Sequence, residues 1–580
     1  MFDKIVAAAL RARFAVIVVT IIVAIWGVYS FSGLTIEAFP DPTDTQVVII
    51  TLAPGQPAEE MERQVSIKIE RAVNGMPGLS NVRDINIFGL SYMTLTFRDG
   101  VDPIFARQQT TERLGNADLP DGVKPELGSF STPIGEIYRY TLKSDDHDPL
   151  RLRTLNDWTV IPKLLKVEGV ADVTSYGGLV REIEIRPDPV AMAAKSITMG
   201  DLQKALSTAS VNASGGIVER GTEQLVIRSE GLFKNLDDIR AVAVATRQGT
   251  PIFLSDIASV QEGWTPRQGV VSRGKDYDAV EGIILMRRGE NPSAVLSRVR
   301  DKIADLNAHV LPKGTAIDPF YDRTELVNST LETVGHNLLE GAILVTLVLF
   351  VFLLDIRAAL IVAVLIPISL LSAFIYLGTR GMAANLISMG SVDFGIIVDG
   401  GVVIMESIVH RMAHADEEDP PLTVSQRVER AVKDVASPTV FSLLIIIAAY
   451  LPIFLLQRVE GRIFGPMAHT VVAALMGSLI FSITLVPVLA TFAYRKKRKH
   501  RESPVLKLAT AIYTPSLRAA LKYPILIMLG ATVALGVGWE VLSTRGSEFL
   551  PELNEGAIYL HFTLGYNTSL TDGRKMVPII

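Results

Sequence analysis

Residues 385–406 constrain this chain more than any other stretch. The run is long and apolar enough to cross a bilayer, yet it contains Asp393, Asp399 and Glu406. A charged side chain at mid-bilayer costs about 2.5–3.5 kcal/mol on insertion scales. A chain keeps such a residue where a polar interior, a partner charge or protonation offsets that cost. At 100° per residue Asp399 and Glu406 fall within about 20° of each other, and Asp393 about 120° from Asp399. The pattern predicts one continuous helix over residues 386–409. On it Asp399 faces the interior of a bundle, Glu406 lies on the same side toward the cytoplasm, and Asp393 lies nearer the outer face. Gly395, Gly400 and Gly401 remove bulk beside the acids and let a neighbouring helix approach. The alternative is that the acids are structural polar groups paired within a bundle. Ionisable groups inside a membrane are functional by default, so the helix reads as one that takes up and releases protons.

The remaining spans follow from hydropathy. Apolar runs long enough for a ~30 Å hydrocarbon core occur at residues 14–31, 338–354, 358–378, 438–456, 467–494 and 524–542, giving seven spans with the acidic one. Pro367, Pro452 and Pro487 fall inside them, which neighbouring helices can accommodate. The basic run at residues 495–501 sets the orientation by the positive-inside rule. It places the N-terminus in the cytoplasm and residues 33–335 outside, in the periplasm of a Gram-negative cell. The first apolar run is too long for a signal peptide and no cleavage-like site follows it.

The chain has 580 residues, 49% of them hydrophobic, with a formal net charge of −5 and no cysteine. The near-balanced charge carries no signal for nucleic acid. The absence of cysteine excludes disulfides, thiolate metal ligands and cysteine nucleophiles. No phosphate-binding glycine loop, nucleophile elbow or H-E-x-x-H motif occurs. The chain therefore reads as a secondary transporter, neither an enzyme nor an ATPase, with no cofactor.

Residues 33–335 read as alternating α and β. A β-rich run at 45–53 precedes a helix over 58–74, paired strands at 80–88 and 91–97, and a helix to Leu114 capped by Asp102. That order is the ferredoxin-like split βαββαβ pattern. A second pass shows a strand at 169–175, helices at 187–194 and 198–209, a strand at 276–286 and a helix at 292–306. Residues 177–269 form an insertion. An internal repeat is also present. Glu37, Phe39 and Pro40 follow span one, and Glu548, Phe549 and Pro551 follow span seven, each leading to a β-like run (47–52; 557–564). Such parallel repeats are typical of transporter halves, so the chain is expected to be slightly more than the first half of a longer protein. In such a half Asp399 is expected on an open flank.

Several stretches together resemble the resistance-nodulation-division efflux pumps, and among them the heavy-metal branch. They are Asn74-Gly75-Met76-Pro77-Gly78-Leu79, Gly135-Glu136-Ile137-Tyr138-Arg139-Tyr140, Tyr321-Asp322-Arg323-Thr324-Glu325-Leu326-Val327, Asn337-Leu338-Leu339-Glu340-Gly341-Ala342 and Asp393 to Gly400. The resemblance covers essentially the whole chain. It implies a polytopic helical inner-membrane permease with a large α+β porter and docking region. In such a pump proton flow through the fourth span drives export through a membrane-fusion adaptor and an outer-membrane channel, and the full-length protein is a homotrimer in the lipid bilayer. It assigns proton translocation to Asp399, Asp393 and Glu406. Multidrug relatives carry adjacent aspartates where this chain has Val398-Asp399-Gly400. The implied domains are residues 1–32 (tail and first span), 33–133 (first porter subdomain), 134–176 with 270–335 (second porter subdomain) and 177–269 (docking). They continue with 336–494 (spans two to six), 495–522 (basic linker helix), 523–543 (seventh span) and 544–580 (start of a second periplasmic region).

The transported substrate is expected to be a transition-metal cation. His561 stands where copper and silver members use methionine, and imidazole suits zinc, cobalt, nickel or Cu(II) better. The competing reading is an ordinary strand histidine, since a lone His defines no metal site. His410 and His414, before the acidic run 416–419, read as a solvated loop, as do Asp145, Asp146, His147 and Asp148. Two other functions fit the same architecture: a drug or lipid exporter, or a non-functional fragment. An accessory subunit for protein translocation fits less of it.

Overall fold

The computed structural model describes residues 2–37, 40–145, 148–247, 249–267, 269–390, 393–413, 422–494, 503–546, 556–565, 568–577 and 579. The basic run 495–501, His414 with the acidic run 416–419, His147 and the repeat residues 548–552 lie outside them. The chain divides into two compact units. One comprises Met1–Tyr138, Leu285–Arg298 and Tyr321–Ile558; the other comprises Arg139–Ile284, Val299–Phe320 and Tyr559–Ile580.

In the first unit, strands β1 (Gln46–Leu52), β2 (Leu79–Ile87), β3 (Leu90–Phe97) and β4 (Pro125–Leu127) form an antiparallel sheet in the order β2-β3-β1-β4. This is the ferredoxin-like order expected of a split βαββαβ unit. Ile49 of β1 faces Met93 on one side and Leu127 on the other. The pleat sends alternate side chains inward, so Val47 and Ile49 are buried with Met93, Leu95 and Phe97. The helical stretch 58–73 covers them with Met61, Val65, Ile69 and Val73. A spacing of four would drift about 40° per step on an ideal helix. The wider π turn at Glu62–Ser66 lets these four stay on one face. The second helix, Pro103–Leu114, starts as its sequence demands: Asp102 accepts from the Phe105 amide at 2.8 Å and proline occupies the first turn.

The same unit holds the apolar helices: α1 (Arg13–Ser32), α2 (Arg323–Leu353), α3 (Ile356–Arg380), α4 (Leu386–Gly390), α5 (Phe394–Ala413), α6 (Val424–Tyr450), α7 (Arg458–Ala493), α8 (Pro504–Lys522) and α9 (Pro524–Ser543). By length and composition α1, α2, α3, α6, α7 and α9 can each cross a membrane. α5 is distinguished from them by Asp399, Glu406 and Arg411. α3 and α7 pack most extensively, α1 lies against α3, and α5 rests on α3, α6 and α7. No residue of α9 is buried among the described residues.

Span limits differ from the expectation at the polar ends, where charged residues continue a helix beyond its apolar window. α2 begins at Arg323, capped by Asp322, and at 1.5 Å per residue runs about 46 Å, well beyond the hydrocarbon thickness. α6 begins at Val424 under a Thr423–Gln426 capping box, so Pro438 is interior. Pro452 opens the 3₁₀ turn Leu451–Leu455 after α6 and does not interrupt a span.

The second unit repeats the topology. Strands β5 (Glu136–Ser144), β6 (Val170–Gly177), β7 (Val280–Met286) and β8 (Thr315–Asp322) form a sheet in the order β8-β5-β7-β6, the ferredoxin-like order again. Tyr140 of β5 is fully buried and its hydroxyl donates to Asn156 Oδ1 at 2.9 Å. Gly282 of β7 makes room for it, since a Cβ there would fall on the phenol ring. Between β6 and β7 lie the paired strands Arg181–Pro187 and Ala258–Trp264, the hairpin Ala213–Arg220 with Glu223–Ser229, and the pair Ala243–Arg247 with Thr250–Phe253. Their core is a cluster around Leu254, Ile257 and Leu202. The strand expected at 557–564 does not form: the described part of that stretch is irregular. Its residues have β propensity, but no described strand lends them an edge.

Candidate functional site

The acidic segment is not one helix. α4 ends at Gly390 and α5 begins at Phe394. Asp393 sits in the break as the cap of α5: its Oδ1 accepts from the Gly395 amide at 2.8 Å and its carbonyl from Ile397 at 3.2 Å. An aspartate offers the chain this local alternative to continued helix, and here it wins. Asp393 is therefore fixed by its own backbone and is not part of the helical stripe.

Within α5 the periodicity holds. Ile397, Val398, Gly400, Gly401, Ile404 and Met405 are buried, while Asp399, Val403, Glu406 and His410 are exposed. These four positions fall within about 60° of one another. Asp399 and Glu406 thus share the flank of α5 turned away from α6 and α7, two turns apart. Neither carboxylate has a hydrogen-bond or ion-pair partner among the described residues.

The buried face explains how an acid-bearing helix is held. A Cβ on Gly400 would come to 2.8 Å from Leu443 Cδ1 of α6, and one on Gly401 to 2.7 Å from Leu365 Cδ2 of α3. Both glycines admit neighbouring helices, as expected. Gly395 does not: among the described residues the side chain near its missing Cβ is that of Asp393. A glycine that the segment itself did not announce is Gly341 of α2, where a Cβ would meet the Phe394 ring at 2.6 Å.

Polar ties lock α5 in register. Ser478 of α7 donates to the carbonyl of Ile397, and Ser407 donates to the carbonyl of Ala431 at 2.9 Å. Ser482, one turn beyond Ser478, is buried with its hydroxyl unpartnered among the described residues. Its Oγ lies 3.5 Å from the point a Gly400 Cβ would occupy. Residue-type reasoning missed Ser478 and Ser482. Their signal was a pair of hydroxyls four apart, on one face of a largely apolar span.

Beside the start of α4, Ile36–Glu37 pairs in parallel with Ala384–Asn385, with Glu37 opposite Asn385. Asn385 is buried and caps α4, accepting from the Ser388 amide at 2.7 Å. Burial pushes the Glu37 carboxyl above its ordinary value; nearby Arg323 opposes the shift and Asp41 adds to it.

His561 is exposed in an irregular segment of the second unit. Among the described residues no group of three His, Cys, Asp or Glu side chains gathers that could hold a metal ion. His561 and the α5 acids belong to different units of the chain.

Comparison with known proteins agrees with this architecture. The AcrB/AcrD/AcrF family model matches residues 5–580. The cobalt-zinc-cadmium resistance protein CzcA of Cupriavidus metallidurans is 39% identical over 596 residues, covering 100% of this chain and 56% of that protein. The cation efflux system protein CusA of Escherichia coli K12 is 33% identical over 579 residues, covering 97% and 55%. The X-ray structure of a heavy metal efflux pump, crystal form I, superposes with a TM-score of 0.86 at 38% identity, covering 99% of this chain and 55% of that one. The chain thus spans about half the length of the curated relatives it matches. With that family match running almost from end to end, the chain belongs to the AcrB/AcrD/AcrF family of resistance-nodulation-division transporters, in its heavy-metal efflux branch.

Proposed function

We propose that this chain carries the proton-handling bundle of an inner-membrane permease that exports transition-metal cations in exchange for protons. The observation that carries the reading is the stripe on α5. Asp399 and Glu406 share the open face of a helix whose other face is locked into an apolar bundle. A carboxylate at such a site is costly while charged and much less so when protonated. Protonation therefore changes which surface α5 can bury. A cation or second acid supplied elsewhere in the protein would meet Asp399, and proton exchange there would switch the pair between two arrangements. Asp393, outside the stripe, would guide protons toward it from the capped end of α5.

The metal substrate rests on the relatives' names. Export through an adaptor and an outer-membrane channel, a cytoplasmic N-terminus and a periplasmic location for the two sheets rest on the family resemblance. Assembly with further copies has its own support. Every residue of the hairpin Ala213–Arg220 with Glu223–Ser229 is exposed, Ile217, Val218, Leu225, Val226 and Ile227 among them. An isolated two-stranded hairpin is marginal in water, and exposed apolar surface of this kind marks an interaction site.

Deleting the gene from its native host tests the substrate class. Sensitivity to divalent zinc, cobalt, cadmium or nickel is expected before sensitivity to dyes or antibiotics. Equal sensitivity to bulky amphiphiles would transfer the reading to drug or lipid export.

A further inference from the structure

The bundle contains a groove that the acid stripe does not use. It runs between α1, α3 and α7 and has a volume of about 700 Å³, within the ~300–1,000 Å³ span of small-molecule sites. Val19 and Val23 of α1 and Met476, Ile480 and Phe481 of α7 make its walls apolar. The serine and threonine hydroxyls that line it are satisfied by their own helices. Thr20 donates to Val16 O at 2.8 Å, Ser372 to Ile368 O at 2.9 Å and Thr484 to Ile480 O at 2.6 Å. They require nothing of an occupant.

Polarity is gathered at one end. There the Tyr376 hydroxyl and His469 Nδ1 stand 3.1 Å apart, Phe454 meets the imidazole edge-on at 4.6 Å, and the Arg380 guanidinium lies 5.7 Å from the Tyr376 ring centroid. Arg380 is exposed. This is also the end of α7 that touches the four-stranded sheet of the same unit, because Arg462 pairs with Asp44 and Asp99 there. His469 to Thr484 covers about 22 Å of helix, and one leaflet of a ~30 Å hydrocarbon core is about 15 Å deep. A chain of one leaflet fits along the groove with its polar end at Arg380. Met476 and Ile480 point about 160° away from Ser478, so the groove lies on the side of α7 away from α5. A partner covering the Asp399 flank leaves it open.

We propose that this groove binds one anionic phospholipid. An acyl chain lies along α7 between α1 and α3, and the phosphate meets Arg380 above the Tyr376–His469 pair. A guanidinium matches a phosphate in charge and in bidentate geometry. The apolar wall matches the tail of such a ligand, and the Arg380 guanidinium, beside the Tyr376 ring at the polar end, sits where the head must be. The inference requires a membrane around these helices but no particular transport function.

The test places the chain in vesicles with trace phosphatidylglycerol bearing a photoreactive diazirine on its acyl chain, then maps the label by mass spectrometry. Label is expected to concentrate on Val472, Met476 and Ile480. Arg380→Gln is expected to lower it by about five-fold, the worth of a well-placed but solvent-screened ion pair, and to leave labelling by the matching phosphatidylcholine probe unchanged. Met476→Trp, which fills the groove, is expected to reduce both. Labelling of the groove no denser than that of the fully exposed α9 overturns the proposal. So does equal labelling by both lipids with no response to Arg380→Gln. The comparison of groove with α9 uses the unaltered chain and stands even if a variant fails to fold.

Discussion

Asp399 and Glu37 are the two residues whose environment makes the sharpest demands. Asp399 keeps the size and hydrogen-bonding capacity of its side chain in Asp399→Asn but loses the ability to titrate. In the protein expressed from its intact locus, that change is expected to abolish metal tolerance while membrane level and assembly stay normal, as read by growth on metal and by crosslinking in the same cells. Glu37 gives a pH signature. Its folded-state carboxyl lies above its unfolded value because burial disfavours the charge. Its contribution is therefore fully present below about pH 4.5 and is lost as pH rises through the folded value. Glu37→Gln is expected to match the parent in thermal stability in acid and to exceed it at neutral pH; a gap that shrinks as pH rises would contradict the assignment. The acids themselves were legible in the sequence, because charge inside an apolar run is conspicuous. The break at Asp393 was not. Whether an aspartate continues a helix or caps a new one depends on its own backbone amides two and four residues on, and hydropathy is silent about that choice.

At the scale of the element, α5 behaves as a rail fixed on one face. Gly400 and Gly401 set its distance from α6 and α3, and Ser478 and Ser407 set its register. Gly400→Leu is expected to destabilise the bundle by about 1–3 kcal/mol through overpacking. Gly395→Ala has no neighbouring helix to meet and is expected to be neutral, or to gain up to about 1 kcal/mol from helix propensity. Thermal unfolding in one detergent compares the two; equal loss in both would mean that the glycines act through backbone freedom and not through packing. The soluble elements were largely readable in advance. Period-two strands, the Asp102 cap and the turn between β2 and β3 are local signals. The strand expected at 557–564 failed because a strand needs an edge to pair with, which its own residues cannot supply. The true starts of α2 and α6 were hidden because polar residues outside an apolar window continue a helix without changing hydropathy.

At the scale of the molecule, the chain forms two ferredoxin-like sheets and a helical bundle; the order of the first sheet was visible in the sequence, whereas strands β5 and β8 and the helical stretch 149–164 of the second were not anticipated. The open flank expected of Asp399 in a half-bundle is where the structure places it; the close packing of α5 against α3 and α6 on its other face is a property of tertiary structure that hydropathy does not carry. On that flank, Asp399 is the residue proposed to move protons. The most direct measurement reconstitutes the protein from its intact locus into vesicles loaded with a pH-sensitive dye and follows internal pH when zinc or cobalt is added. A metal-dependent proton flux is expected for the parent and none for Asp399→Asn at equal incorporation. Metal-dependent proton flux that survives in Asp399→Asn would contradict that role.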